Sequence, residues 1–221
     1  MILQAVLIVD DHPAMRQGLA TLIEKTAGLT VCGEAGSRRE TLAELHRRRP
    51  DFVLLDIALG ESESSGLDLI PDIHAHAGPV PILVYSMHDE MLYAERALRM
   101  GARGYLMKRE SVRQIAVAVR RILDGGIYLS EAMNQRMLAR QVGSAPGEPA
   151  AGPHPPERLS AREFEVFRLV GNGLRPREIA DALFLSVKTV ETHRMNIRKK
   201  LGLADASALA RFAVQWFHRN E

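Results

Sequence analysis

The chain has 221 residues, enough for one large domain or two modest ones. Hydrophobic residues make up 46% and charged residues 25%, as in ordinary soluble globular proteins. No apolar run reaches the roughly 18 residues that a transmembrane helix needs, so no such helix is expected. The single cysteine, Cys32, excludes an intramolecular disulfide, and the absence of a basic leader favours a cytoplasmic location.

The net charge of +2 hides a difference between the two ends of the chain. Residues 1–125 carry 15 basic and 17 acidic side chains, whereas residues 157–221 carry 12 basic and 8 acidic ones. A small basic excess is common on any solvated surface. It nevertheless lies where contact with nucleic acid would need it.

Within residues 1–125, apolar runs alternate with segments of helical periodicity. The runs predict strands at 5–9, 30–35, 51–56, 80–85 and 104–107, and the helices between and after them include 67–76, 90–100 and 112–123. Runs without polar alternation are typical of parallel strands that are covered on both faces. The sequence therefore predicts an α/β domain with a five-stranded, doubly wound parallel sheet.

Polar side chains follow four of these five strands. Asp10 and Asp11 end the first, Asp56 the third, Ser86 the fourth, and the fifth runs into Lys108. Because ligands of such folds bind outside the carboxyl ends of the strands, these groups should converge there. Grouped carboxylates favour an oxygen-ligated cation such as Mg²⁺, and a lysine with a hydroxyl suits phosphoryl transfer to a carboxylate. Taken singly, each residue could equally be a helix cap or a surface charge.

Residues 126–157 form the predicted linker. A short helix is expected over 131–140, followed by a segment rich in Pro, Gly and Ala over 141–157. A second, smaller all-α domain is expected over 158–221, where Ser160 and Glu163 form a capping box that opens its first helix.

The second domain carries the pattern of a helix-turn-helix. Pro176 suits the first position of a scaffold helix, although Arg175 before it is a poor cap. Ser186 caps a recognition helix from Val187 to about Leu201, whose inward stripe is Val190, Ile197 and Leu201. A final helix over Ala206–Phe217 is expected to pack on the core, either alone or with a dimer seam.

The outward face of the recognition helix carries the predicted DNA contacts. Helical spacing places Lys188, Glu191, Thr192, Met195 and Lys199 on this face. The residues that suit phosphates are those at its flanks: Thr189, Arg194, Arg198, Lys199 and Lys200. Glu191 either reads a base or only pairs with Lys188 or Lys199. His193 suits packing or a phosphate contact better than a metal.

These motifs resemble a known family at both ends of the chain. Asp10-Asp11, Asp56, Ser86, Tyr105 and Lys108, with the segment Ala97–Lys108, resemble the flavodoxin-like receiver domain of bacterial response regulators. The C-terminal segment resembles the LuxR-type helix-turn-helix. Together they are similar to the NarL/FixJ class of two-component response regulators.

The resemblance implies a role for each residue of the pocket. Asp56 would accept phosphate from a sensor histidine kinase, and Mg²⁺ would be held by Asp10, Asp11, Asp56 and the Ala58 carbonyl. Lys108 and Ser86 would bind the phosphoryl oxygens, and Ser86 would switch together with Tyr105. For Tyr105, the plainer interpretation is an aromatic side chain of the core. The implied partners are double-stranded promoter DNA, RNA polymerase and, after phosphorylation, a second copy of the chain.

The sequence departs from the family at four places, one of which is Arg109 after Lys108, where many receivers have Pro. The loop 57–66 is about two residues longer than usual and adds Glu61 and Glu63, which we expect to affect kinase docking and phosphate lifetime. Glu191 stands where the family usually has Lys, and Arg175 where it has a Ser-like cap. An aspartate-based phosphatase is a weaker alternative, because its motif has a second Asp where this chain has Ala58. A third alternative is a receiver that serves only as a dimerisation module without phosphorylation, and the intact acidic pocket argues against it.

Overall fold

The computed structural model describes residues 3–59, 66–143 and 159–220. Glu61, Glu63 and residues 144–157 of the predicted linker lie outside these ranges. The chain divides into two compact units, one N-terminal and one C-terminal, and each is described by itself.

The described part of the first unit is an α/β fold with one parallel sheet. Its strands lie in the order β2-β1-β3-β4-β5, which confirms the predicted doubly wound architecture. The strands are β1 Gln4–Val9, β2 Leu29–Ala35, β3 Phe52–Leu55, β4 Ile82–Ser86 and β5 Gly104–Met107. The helices are α1 Pro13–Lys25, α2 Arg38–Arg48, α3 Gly66–Ala77, α4 Glu90–Arg99, α5 Arg113–Leu123 and α6 Glu131–Gly143.

The central strands are buried on both faces, as their unbroken apolar runs require. Val6, Leu7 and Ile8 of β1 and Phe52 of β3 are completely buried. Asp10 and Asp56 follow directly after β1 and β3, which are hydrogen-bonded neighbours in register through Val9 and Leu55. The sheet thus places both acids side by side at one edge.

The first unit continues past residue 125, where the sequence placed the domain end. Tyr128 pairs with β5: the Tyr105 N–H donates to the Tyr128 carbonyl at 2.9 Å. Ser130 then donates its N–H to Glu90 on α4 at 2.9 Å, and Met133 of α6 is buried. The helix predicted at 131–140 is therefore α6, and it packs against the sheet domain as far as it is described.

The second unit is all-helical over its described residues. It contains α7 Ala161–Gly171, α8 Pro176–Leu183, α9 Val187–Leu201 and α10 Ala206–Asn220. Ser160 and Glu163 form the predicted capping box on α7, and Ser186 caps α9. Arg175 makes no side-chain cap, but its N–H donates to the Glu178 carboxylate at 2.6 Å.

An aromatic cluster joins α7 to α10. Phe164 and Phe167 meet Trp216 and Phe217 with ring centroids between 5.6 and 6.3 Å apart. Such edge and tilted contacts add stability beyond the buried area. Val190 and Ile197 of α9 are fully buried and Leu201 half-buried, so the predicted inward stripe is the one that packs.

Candidate functional site

The carboxyl edge of the sheet holds a buried three-member charge cluster. Lys108 Nζ lies 2.6 Å from Asp10 Oδ2 and 2.5 Å from Asp56 Oδ2. Asp10 is 1% exposed, Asp56 3%, and the Lys108 side chain 5%. Strands β1, β3 and β5 end just before these residues, and they bring Lys108 next to Asp10, 98 positions earlier, and Asp56, 52 positions earlier.

Burial and charge oppose each other in this cluster. Burial raises the pKa of Asp56 above its ordinary value, although the Lys108 charge and the Ala58 N–H, which donates at 3.0 Å, both act to lower it. Burial would lower the pKa of Lys108, but the carboxylates of Asp56 and Asp10 outweigh it and the pKa rises. The lysine therefore stays a cation next to the Asp56 carboxyl group.

Asp11 completes the acidic edge beside the buried cluster. Its Oδ1 lies 2.6 Å from His12 Nδ1, and one ligand atom each from Asp10, Asp11 and His12 falls within 4.8 Å of the others. The carboxylates are the predicted metal ligands. The sequence analysis did not include His12 in this group, because a single exposed histidine after two acids forms no pattern that would mark it as a ligand.

Ser86 and Tyr105 are both fully buried next to this cluster. The Tyr105 hydroxyl donates to the His88 carbonyl at 3.1 Å, and the His88 N–H donates to Ser86 Oγ at 3.3 Å. Burial raises the pKa of Tyr105, so the phenol stays protonated and able to donate. The backbone of residue 88 therefore connects the two side chains that were predicted to switch together.

The predicted DNA-reading face of α9 is open to solvent. Every residue assigned to it is exposed: Lys188, Glu191, Thr192, Met195 and Lys199. Glu191 pairs with Arg194 at 2.8 Å rather than with Lys188 or Lys199. His193 is half-buried, consistent with packing.

The flanking residues of α9 differ in what they contact. Thr189 belongs to the cap, because its N–H donates to Ser186 Oγ at 3.0 Å. Lys200 Nζ lies 2.6 Å from Glu163 Oε2 on α7. Arg198 is half-buried and lies in the last turn of α9. Lys200, predicted as a phosphate contact, thus has an intramolecular partner.

Comparison with known proteins agrees with both halves of the chain. Residues 6–120 match the response regulator receiver domain, and residues 157–213 match the luxR family of bacterial regulatory proteins. The oxygen regulatory protein NreC of Staphylococcus aureus is 30% identical over 210 residues, covering 95% of this chain and 96% of NreC. The chain belongs to the two-component response regulators that join a receiver domain to a LuxR-type DNA-binding domain.

Solved structures show the same architecture. A LuxR-family two-component response regulator from Aurantimonas sp. SI85-9A1 matches with a TM-score of 0.58 and 29% identity over 63% of this chain and 99% of that one. RcsB from Salmonella enterica serovar Typhimurium, bound to promoter rprA with the phosphomimetic BeF3−, matches with a TM-score of 0.59 and 23% identity over 96% and 98%. The second match concerns the fold alone.

Among the described helices, none has the length and hydropathy to cross a bilayer.

Proposed function

We propose that phosphorylation of Asp56 controls promoter binding by this response regulator. The observation that carries the proposal is the Lys108 ammonium held between two buried carboxylates, 2.5 Å from Asp56. A fixed cation beside a carboxylate nucleophile stabilises the charge that develops on a transferring phosphoryl group. A sensor histidine kinase is the proposed phosphodonor.

In the proposed reaction an Asp56 carboxylate oxygen attacks the phosphorus of the donor, and the bond between phosphorus and the leaving group breaks. Lys108 then contacts a phosphoryl oxygen, and the Ser86 hydroxyl donates to another. The only covalent product is an acyl phosphate on the chain, which later loses phosphate to water. We therefore assign self-phosphorylation and self-dephosphorylation, without turnover of a separate substrate.

The donor set suits Mg²⁺. Asp10, Asp11 and Asp56 supply three carboxylates against one lysine charge, and hard oxygen ligands are those that Mg²⁺ prefers. These side chains and the Ala58 carbonyl would hold the ion. Mg²⁺ bound there would neutralise phosphoryl oxygen charge, and the contact with Lys108 orients the Asp10 carboxylate.

For the DNA-binding domain we propose that α9 enters the major groove with its exposed face toward the bases. Two copies of the chain would bind two half-sites, because each basic helix alone offers few phosphate contacts. RcsB, which has the same fold, is seen bound to promoter rprA and, in another structure, as dimers bound to DNA, and these structures support the proposal. RNA polymerase is a proposed partner, and the cytoplasm the proposed compartment.

Phosphorylation with acetyl phosphate tests the acceptor directly. Intact mass should rise by one phosphoryl group in Mg²⁺ buffer, and Asp56→Ala should abolish the gain. Asp124→Ala, which removes an exposed carboxylate, is the matched control and should label normally. Equal labelling of Asp56→Ala would overturn the assignment, and release of phosphate from small phosphoesters with turnover would favour an enzyme.

A further inference from the structure

Two adjacent residues in the first turn of α7 contact the ends of both helices of the helix-turn-helix. Arg162 Nη2 donates to the carbonyl of Leu183, the last residue of α8, at 2.8 Å. Glu163 Oε2 lies 2.6 Å from Lys200 Nζ in the last turn of α9. One turn of α7 therefore contacts α8 where it ends and α9 where it ends.

The α7 side chains of these contacts are buried, whereas the Lys200 side chain is 40% exposed. The side chains of Glu163 and Arg162 are 5% and 11% exposed. Glu163 Oε2 also accepts the Ser160 N–H at 2.6 Å, and Arg162 also pairs with Glu165 at 2.7 Å. A buried carboxylate without its cation is costly, so Lys200 is held at Glu163. Its neighbour Lys199 is exposed on the outward face.

The Arg162 contact acts at the start of the recognition helix. It lies one residue before Phe184, which closes α8 in the left-handed conformation with φ 54°. Two residues later Ser186 caps α9, so the Leu183 carbonyl and the turn after it set where α9 begins. The Lys200 contact joins the last turn of α9, just before its Gly202 cap, to α7.

Small errors in helix angle matter for base recognition. The 15 residues of α9 span roughly 20 Å, so a tilt of about 10° moves one end by about 4 Å relative to the other. Hydrogen bonds to base edges tolerate far less than that. A recognition helix attached to α7 at its last turn, with the end of the preceding helix also attached to α7, keeps its face in register with the groove.

We propose that Lys200 is a positioning residue rather than a phosphate contact, and that with Arg162 it fixes the angle at which α9 meets DNA. The proposal rests on the DNA-reading face of α9 proposed above. Lys199, the adjacent lysine on the outward face, is the phosphate contact. The two lysines therefore affect DNA binding in measurably different ways.

The test compares Lys200→Gln with the matched control Lys199→Gln in the full chain. The probes are a duplex selected from random DNA by the wild type and a scrambled duplex of the same composition. Affinities are measured by fluorescence anisotropy over a range of salt concentrations, at a temperature where circular dichroism shows each variant fully folded. Lys200→Arg is the conservative rescue.

Lys199→Gln should lower affinity for both duplexes and reduce the salt slope by about 0.9, the loss of one phosphate contact. Lys200→Gln should leave the salt slope unchanged and lower the ratio of selected to scrambled affinity about tenfold, the size of a lost base contact. Lys200→Arg should restore the ratio.

Two results would overturn the proposal. A salt slope that falls in Lys200→Gln as it does in Lys199→Gln makes Lys200 a phosphate contact. If folded Lys200→Gln keeps the wild-type ratio of selected to scrambled affinity, the Lys200–Glu163 ion pair contributes to the fold but does not position α9 on DNA. If Lys199→Gln leaves the slope unchanged, the proposed DNA-reading face fails instead, and the ratio for Lys200→Gln still decides the positioning role.

Discussion

Glu191 gives a prediction that separates base reading from simple charge. Its side chain is 54% exposed and pairs at 2.8 Å with Arg194, which is 16% exposed. Pairs this exposed contribute roughly 0.2–1 kcal/mol to folding, so Glu191→Ala should change stability little. The effect should instead appear in DNA binding.

A carboxylate on the groove-facing side of α9 can accept a hydrogen bond from cytosine N4, whereas the Lys usual in relatives prefers guanine acceptors. Glu191→Ala should therefore relax preference at one base pair of each half-site by roughly 1–3 kcal/mol. It should also free Arg194 toward phosphates and strengthen non-specific binding. Glu191→Gln, which keeps the size and the pairing geometry, is the control for charge.

Selection from random DNA by the wild type and both variants, followed by affinity measurements on the recovered duplexes, tests this reasoning. A changed motif at one position supports base reading. Identical motifs with uniformly higher affinity would refute it, because the carboxylate would then act on DNA through repulsion alone.

Three further outcomes follow from the structure. Burial raises the pKa of Asp56, so the folded state in metal-free buffer loses stability as pH rises through that pKa and the carboxyl group ionises. Asp56→Asn removes this ionisation and should raise the urea midpoint of unfolding at neutral pH, whereas a lower midpoint would contradict the reasoning. Phe184 has φ 54° and is 81% exposed, so Phe184→Asn should stabilise the chain by about 1 kcal/mol in urea unfolding, and no gain would argue against strain there. Beryllofluoride should shift the sedimenting mass at tens of micromolar toward a dimer; an unchanged monomer mass together with unchanged DNA affinity would count against phosphorylation-driven assembly.

Much of the acidic pocket could be predicted because a parallel sheet makes it a matter of topology. Apolar runs marked the strands, and the residue after each strand then had to lie at one edge, which the contacts of Lys108 with Asp10 and Asp56 confirm. Backbone connections carry no such signal. The link from Ser86 through residue 88 to Tyr105 depends on a carbonyl and an N–H, which the sequence does not distinguish.

In the recognition helix, too, some features could be predicted from the sequence and others could not. Its exposed and buried faces follow from helical periodicity alone, and its cap from Ser186. The partners of its charged residues do not, because long side chains choose among several neighbours. Lys200 reaches Glu163, 37 positions earlier, and Glu191 reaches Arg194 rather than either lysine considered for it.

The most direct test of the account is the DNA affinity of one preparation before and after phosphorylation. Full-length protein treated with acetyl phosphate and Mg²⁺ should bind a duplex selected from random DNA more tightly than untreated protein does. Asp56→Ala should bind equally with and without treatment. Equal affinity of phosphorylated and unphosphorylated wild type, with labelling confirmed by mass, would contradict control of DNA binding by Asp56.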